Sequence, residues 1–204
     1  MRSFADVQEL ISSQITEKCW QQQDFSGCDL QGIELKELNL SGANFRGANL
    51  KCANLSGSIL TDTDLSEADL TQANLSHTDL SYANLCGSYL WRSQCRYSNF
   101  WGASLCGADF TEADLSYAKL IESSLIEAKL VRANLQEASI CGAILLEADL
   151  TEANLNGADL TWTNLTKANL LNANLWETKI IYSKLRDTIM PEGTIYKPDI
   201  MIIN

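Results

Sequence analysis

Ala53-Asn54-Leu55-Ser56-Gly57 and Ala68-Asp69-Leu70-Thr71-Gln72 are two instances of one five-residue pattern that runs through most of this chain. From Phe25 to Leu185 every fifth residue is large and apolar, with one exception, and the phase never slips. Those 33 positions hold 26 Leu, four Phe, two Ile and Cys95. Two residues earlier the chain is almost always small: 19 Ala, six Ser, four Thr and Cys28, with Gln23, Ile33 and Leu38 the departures. So strict a period sets the architecture and leaves any specific activity to the residues that vary between units.

Neither common periodicity accommodates a spacing of five. In an α-helix five residues rotate the side chain through roughly 500°, so successive leucines lie about 140° apart and share no face. In a straight strand side chains alternate with period two, so an odd spacing sends successive leucines to opposite faces. The chain must therefore bend once per unit. The small residue and the leucine point inward, the other three positions point outward, and the small side chain fits the interior corner. Stacked bent units pair the backbone of each coil with the next and form a parallel solenoid. Pro is absent from residues 1 to 190, as suits a ladder that uses every backbone N–H.

The pattern resembles the pentapeptide-repeat family, whose motif is A-[D/N]-L-x-x, and residues 23–188 carry it. The resemblance implies an all-β fold, a right-handed quadrilateral parallel β-helix with four units per coil and about eight coils. At about 4.8 Å per coil the rod is roughly 40 Å long. No insertion breaks the phase, so no loop is expected to leave it.

Both ends need covers. Val7, Leu10, Ile11 and Ile15 fall at helical spacing, and Ser3 with Asp6 resembles an N-cap pair. Residues 1–22 are therefore expected to hold an N-terminal capping α-helix over 4–18. Residues 189–204 are expected to form a C-terminal capping tail, ending in Ile200-Met201-Ile202-Ile203. A dimerisation segment is the alternative, so a homodimer through an end cap or an apolar face stays open. Ile189-Met190-Pro191-Glu192-Gly193-Thr194 is similar to the close of many cyanobacterial pentapeptide-repeat proteins.

Residues 1 to 20 carry charges and lack an uninterrupted apolar run, so neither a signal peptide nor a membrane span is expected. Seven irregularly spaced cysteines read as reduced thiols in a cytoplasmic protein. Cys86 and Cys106, twenty apart, fall in vertical register, within reach of a disulfide in principle. His77, the single histidine, points outward beside Tyr97, with no carboxylate or Ser nucleophile. Gly27, Gly42 and Gly47 follow the pentad and serve its turns, not a phosphate loop. No catalytic, cofactor-binding or metal-ligating residue is assigned, and the chain reads as a non-enzyme.

A net charge of −11 argues against direct nucleic-acid binding. The resemblance adds another idea, because quinolone-resistance members of the family are acidic rods thought to mimic duplex DNA in the saddle of DNA gyrase. On a period of 20, Glu67, Glu127, Glu147 and Asp187 share one column, with Asp29, Asp69, Asp109 and Asp149 across the corner. Lys129 and Lys167 interrupt these columns, and Arg92, Glu112, Arg132 and Glu152 alternate in a third.

The least uniform surface feature is aromatic. Trp101, Ile121, Cys141 and Ile181 fall in one outward column, with Tyr82, Trp162 and Tyr182 beside it. Exposed apolar area with Trp and Tyr anchors marks contact sites. The sequence therefore reads as a non-catalytic protein-interaction scaffold using Trp101, Ile121, Cys141, Ile181, Trp162 and Tyr182. A DNA mimic directed at gyrase or topoisomerase is the alternative. Ser116, next to the central Leu115, is expected to tolerate substitution by Asp.

Overall fold

A computed structural model describes residues 20–197. Each five-residue unit contributes one residue to a parallel bridge with the residue twenty positions on, from Asp24 with Asn44 to Asn169 with Ile189. An offset of twenty is four units, so each coil has four sides. The ladder runs in both directions: the Phe25 N–H donates to the Asn44 carbonyl at 2.7 Å, and the Asn44 N–H to the Gln23 carbonyl at 2.8 Å.

The bend between sides is a tight turn. At nearly every corner the N–H of the small residue donates to the carbonyl of the preceding central residue, as Ala108 does to Leu105 at 3.1 Å. The residue before the small one has φ between 54° and 70° at all 34 such positions from Gln22 to Asp187. A positive φ at only the second central residue is the signature of a type II turn. Ten of these residues are glycines and 24 are not. Each side chain held in this region costs about 1–2 kcal/mol, which the coil-to-coil hydrogen bonds offset.

The inward residues form one continuous core, and the central side chains from Phe25 to Leu170 are essentially fully buried. Where the small position is Ser or Thr, its hydroxyl donates to a main-chain carbonyl, except at Ser93, which faces Cys95. Thr78 reaches Leu55 at 3.0 Å in the preceding coil, and Ser88 reaches Leu85 at 2.7 Å. Such bonds make Ser and Thr interchangeable with Ala here, and among the described residues no buried side-chain N or O lacks a partner. Cys95, the odd central residue, is fully buried with its sulfur 3.4 Å from Ser93 Oγ. Burial pushes its thiol up to about 12, so it stays an inert packing group.

Two expectations need correction. Ser116 points outward yet is buried, with its hydroxyl donating to Asp114 Oδ1 at 2.7 Å. The boundary expected between N-terminal cap and coil, at 22/23, lies further toward the N-terminus. Trp20 N–H donates to the Asn39 carbonyl at 3.1 Å and Gln22 N–H to the Ser41 carbonyl at 3.0 Å, so residues 20–22 already belong to the first coil. The capping helix expected over 4–18 lies outside the described residues. Trp20 is buried near Phe25, and Phe25 stacks on Phe45 at 4.9 Å.

Candidate interaction surface

Because the interior is uniform, a distinctive site can only be built from side chains on the turns and at the outward bridge positions. The turns stack in columns at the coil spacing, so a ring at one position meets whatever lies twenty residues away. Trp162 and Tyr182 stack face to face, with centroids 4.5 Å apart and planes inclined by 21°. They are 64% and 71% exposed, so the pair presents a flat aromatic surface to solvent. Ile181, next to Tyr182, is also exposed.

Trp101 is exposed on the same side of the rod, several coils away. Its ring lies 5.3 Å from that of Tyr82, and its indole N–H donates to Glu122 Oε2 at 3.3 Å. Ile121 and Cys141 are half-buried between the two aromatic groups. Burial pushes the Cys141 thiol upward, opposed by a contact with the Ser139 hydroxyl at 3.8 Å.

The sequence columns are less continuous than their apolar members imply. Thr161 lies between Cys141 and Ile181, and its hydroxyl bonds Asp159 Oδ1 at 2.5 Å. Gly102, Glu122 and Gly142 separate Tyr82 from Trp162. The six expected residues thus form two aromatic groups joined by a half-buried apolar seam. The described part of the C-terminal tail does not cover them: Ile195 and Tyr196 pair with Ile189 and Thr188, on a different side of the coil.

Two features went unassigned from sequence. His77, Tyr97 and Tyr117 form a three-ring stack with successive centroids 5.0 Å apart, and the Arg96 guanidinium lies 5.5 Å from both tyrosine rings. Folding the sequence on twenty residues places the three rings together, but Arg96 comes from the neighbouring column. Trp176, 69% exposed, is the other. Its signal is position alone, since it sits in the last coil.

Charge is spread around the rod. Arg92 Nε pairs with Glu112 at 2.6 Å, and Arg132 bridges Glu112 at 3.3 Å and Glu152 at 3.0 Å, the alternating ladder read from sequence. The Arg92 hydrogen bond holds the Glu112 carboxyl below its ordinary range. Lys167 meets Glu147 at 2.8 Å and Arg46 meets Glu67 at 2.7 Å, so two members of the acidic column are neutralised locally. Among the described residues no group of three or more His, Cys, Asp or Glu is placed to hold a metal ion. Among the same residues no helix is long and apolar enough to cross a membrane.

The family model for pentapeptide repeats matches in eight copies, from residues 24–62 through to 153–190. The chain belongs to the pentapeptide-repeat family. Pentapeptide-repeat proteins generally act as non-catalytic protein-interaction modules. Among solved structures it is similar to HetL, a pentapeptide-repeat protein involved in heterocyst differentiation regulation in the cyanobacterium Nostoc sp. strain PCC 7120. That likeness has 29% identity over 96% of this chain and 100% of HetL, with a TM-score of 0.38. It is also similar to QnrB1, a plasmid-mediated fluoroquinolone resistance protein, at 26% identity over 80% of this chain and 77% of that one, TM-score 0.48. A second pentapeptide-repeat protein from Nostoc PCC 7120 is 32% identical over 47% of this chain and 77% of its own, TM-score 0.39. No curated protein sequence matches the chain significantly.

Proposed function

We propose that this pentapeptide-repeat rod is a cytoplasmic scaffold that binds another protein through the face carrying Trp101, Ile121, Cys141, Trp162, Ile181 and Tyr182. The observation that carries the reading is the Trp162–Tyr182 stack, whose two residues are 64% and 71% exposed. Stacking on each other already fixes both side chains, so a partner loses little rotamer entropy on contact. Rigid, exposed Trp and Tyr are the residues most often found as binding anchors. At about 25 cal/mol per Å² of apolar area, covering a few hundred Å² gives several kcal/mol, of which association entropy removes a part. The test is association of a captured partner with the wild type against Trp162→Ala and Trp101→Ala. Loss in both variants, with folding unchanged, supports the reading; equal binding removes it.

A second reading is an acidic rod that occupies the DNA-binding surface of gyrase or topoisomerase. The net charge of −11 favours it. Spread over roughly 40 Å, that is about one net charge per 4 Å, against about one per 1.7 Å in duplex DNA. The local pairing of Glu67 and Glu147 with Arg46 and Lys167 weakens the field further. Inhibition of gyrase supercoiling by the purified protein, relieved by added salt, is the outcome this second reading requires.

A further inference from the structure

The corner column holding Tyr82, Glu122, Trp162 and Tyr182 has a gap at Gly142. At Gly102 and Gly157 the side chain twenty residues earlier leans into the space a glycine leaves: a Cβ there would lie 2.9 Å from the Tyr82 ring and 2.7 Å from Glu137 Oε1. At Gly142, chain neighbours aside, such a Cβ would meet only Glu122 Cγ, at 3.7 Å. Trp162 borders the gap from the next coil and stacks on Tyr182 on its far side. Among the described residues its face toward Gly142 carries no ring and no cation. Glu122 borders the gap from the coil before. Its Oε2 accepts the Trp101 indole N–H, and among the described residues its Oε1 has no partner.

The chain completes this arrangement once elsewhere. The Arg92 guanidinium lies 4.2 Å from the Trp91 ring centroid while its Nε pairs with Glu112 at 2.6 Å. At Gly142 the Trp and the Glu are present and the cation is not. From Gln21 to Tyr182 the two columns of this corner hold Asp62 and Glu122 and no Lys or Arg, so the corner is negative. Glu122 and Trp162 are two coils apart, about 9–10 Å. A guanidinium within about 6 Å of a ring centroid and about 3 Å from a carboxylate oxygen spans that distance. An apolar pair lies beside the gap. The first residue of a corner leans over the bridge residue eighteen positions on, as Cys106 Sγ does toward Ser124 Oγ at 3.3 Å and Thr151 Oγ1 toward Asn169 Nδ2 at 2.8 Å. That offset sets half-buried Ile126 beside exposed Ile144, two residues from Gly142.

We propose that the gap at Gly142 is a slot for one arginine side chain of a partner protein. Its guanidinium lies on the open face of Trp162 and pairs with Glu122, and apolar residues beside that arginine cover Ile144 and Ile126. The inference rests on the aromatic-face reading and names the chemistry of the partner. Arginine suits the slot better than lysine, because a planar guanidinium stacks on a ring and still offers its edge to a carboxylate. Charge argues for a different protein over a second copy, since two chains of net charge −11 repel each other, whereas a cationic segment is attracted to this corner.

The test is an NMR titration of the nitrogen-15-labelled full chain with two tripeptides. One is acetyl-Leu-Arg-Leu-amide, and the other carries citrulline in place of arginine, which turns the guanidinium into a neutral urea of the same shape. The expected result is saturable shifts of the Trp162 indole N–H and the Gly142 amide with the arginine peptide, and affinity about five- to tenfold weaker with citrulline. Glu122→Gln should weaken the arginine peptide to a similar degree. So should Gly142→Asn, which fills the slot, tolerates a positive φ and leaves the ring and the carboxylate in place. Equal affinity for the two peptides, or an arginine affinity unmoved by both variants, overturns the proposal. So do shifts spread over the acidic surface without saturation at Gly142. If the slot fails in this way while Trp162→Ala still releases a captured partner, the aromatic face stands without the arginine.

Discussion

Asn134 donates its side-chain N–H to Asp114 Oδ1 in the preceding coil at 3.0 Å, and the same oxygen accepts the backbone N–H of Ser116 at 3.1 Å and its hydroxyl at 2.7 Å. The Asp/Asn slot of the repeat therefore closes the turn that follows it and joins coils, which explains why it tolerates both residues. Asp114→Ala should lower unfolding free energy by about 1–3 kcal/mol, since it strips three donors at once. Asp114→Asn, which keeps the accepting oxygen, should cost less than about 1 kcal/mol. Urea melts of the two variants measure the difference.

Inward and outward positions should separate sharply. Leu115→Ala leaves a cavity in a fully buried site and should cost about 2–5 kcal/mol; Leu115→Asp should abolish folding by burying an unpaired charge. Ser116→Asp should also destabilise, by more than about 1 kcal/mol, because it sets a second carboxylate against Asp114 Oδ1. Thermal melts that leave Ser116→Asp unchanged contradict the buried hydroxyl.

The turns make a prediction of opposite signs. Gly107 has φ of 63° with open space where a Cβ would sit, so Gly107→Ala should cost about 1–2 kcal/mol through conformation alone. Glu127 has φ of 57° and is exposed. Glu127→Gly should be neutral or stabilising by up to about 1 kcal/mol, the gain in the turn exceeding the added freedom of the unfolded chain. Equal losses in both variants would remove turn strain from the account.

Acid should loosen the rod before base does. The Arg92 hydrogen bond lowers the Glu112 carboxyl, and the Thr161 hydroxyl lowers that of Asp159. A group whose folded value is depressed contributes stability above its unfolded value, about 3.9–4.3 for these side chains, and loses it as pH falls through the folded one. Melting temperature should therefore fall below about pH 4, and Glu112→Gln should flatten part of that slope. At neutral pH the exposed Arg–Glu ladder should be worth little, with high salt shifting stability only slightly.

The five-residue phase made the coil, the in/out assignment and the turns legible, because one bend per unit satisfies every Leu and Ala at once. Ser116 was misread because the period marks its position as outward, whereas the structure buries it with its hydroxyl on Asp114 Oδ1. The aromatic columns were legible from the twenty-residue period, but Thr161 and Glu122 interrupt them. Arg96 against Tyr97 and Tyr117 was not legible, since a long side chain crosses between columns that the period keeps apart. The partner is not written in the repeat, because the same Ala and Leu positions build any such rod.

Quantitative affinity capture with three proteins of matched melting temperature tests the interaction claim most directly: the wild type, Trp162→Ala with Tyr182→Ala, and Glu127→Gln with Glu147→Gln. A partner retained by wild type and by the carboxamide variant, and lost from the aromatic variant, is the predicted result. A partner lost with the carboxylates and indifferent to the rings would contradict the aromatic face and return the function to acidic mimicry of DNA.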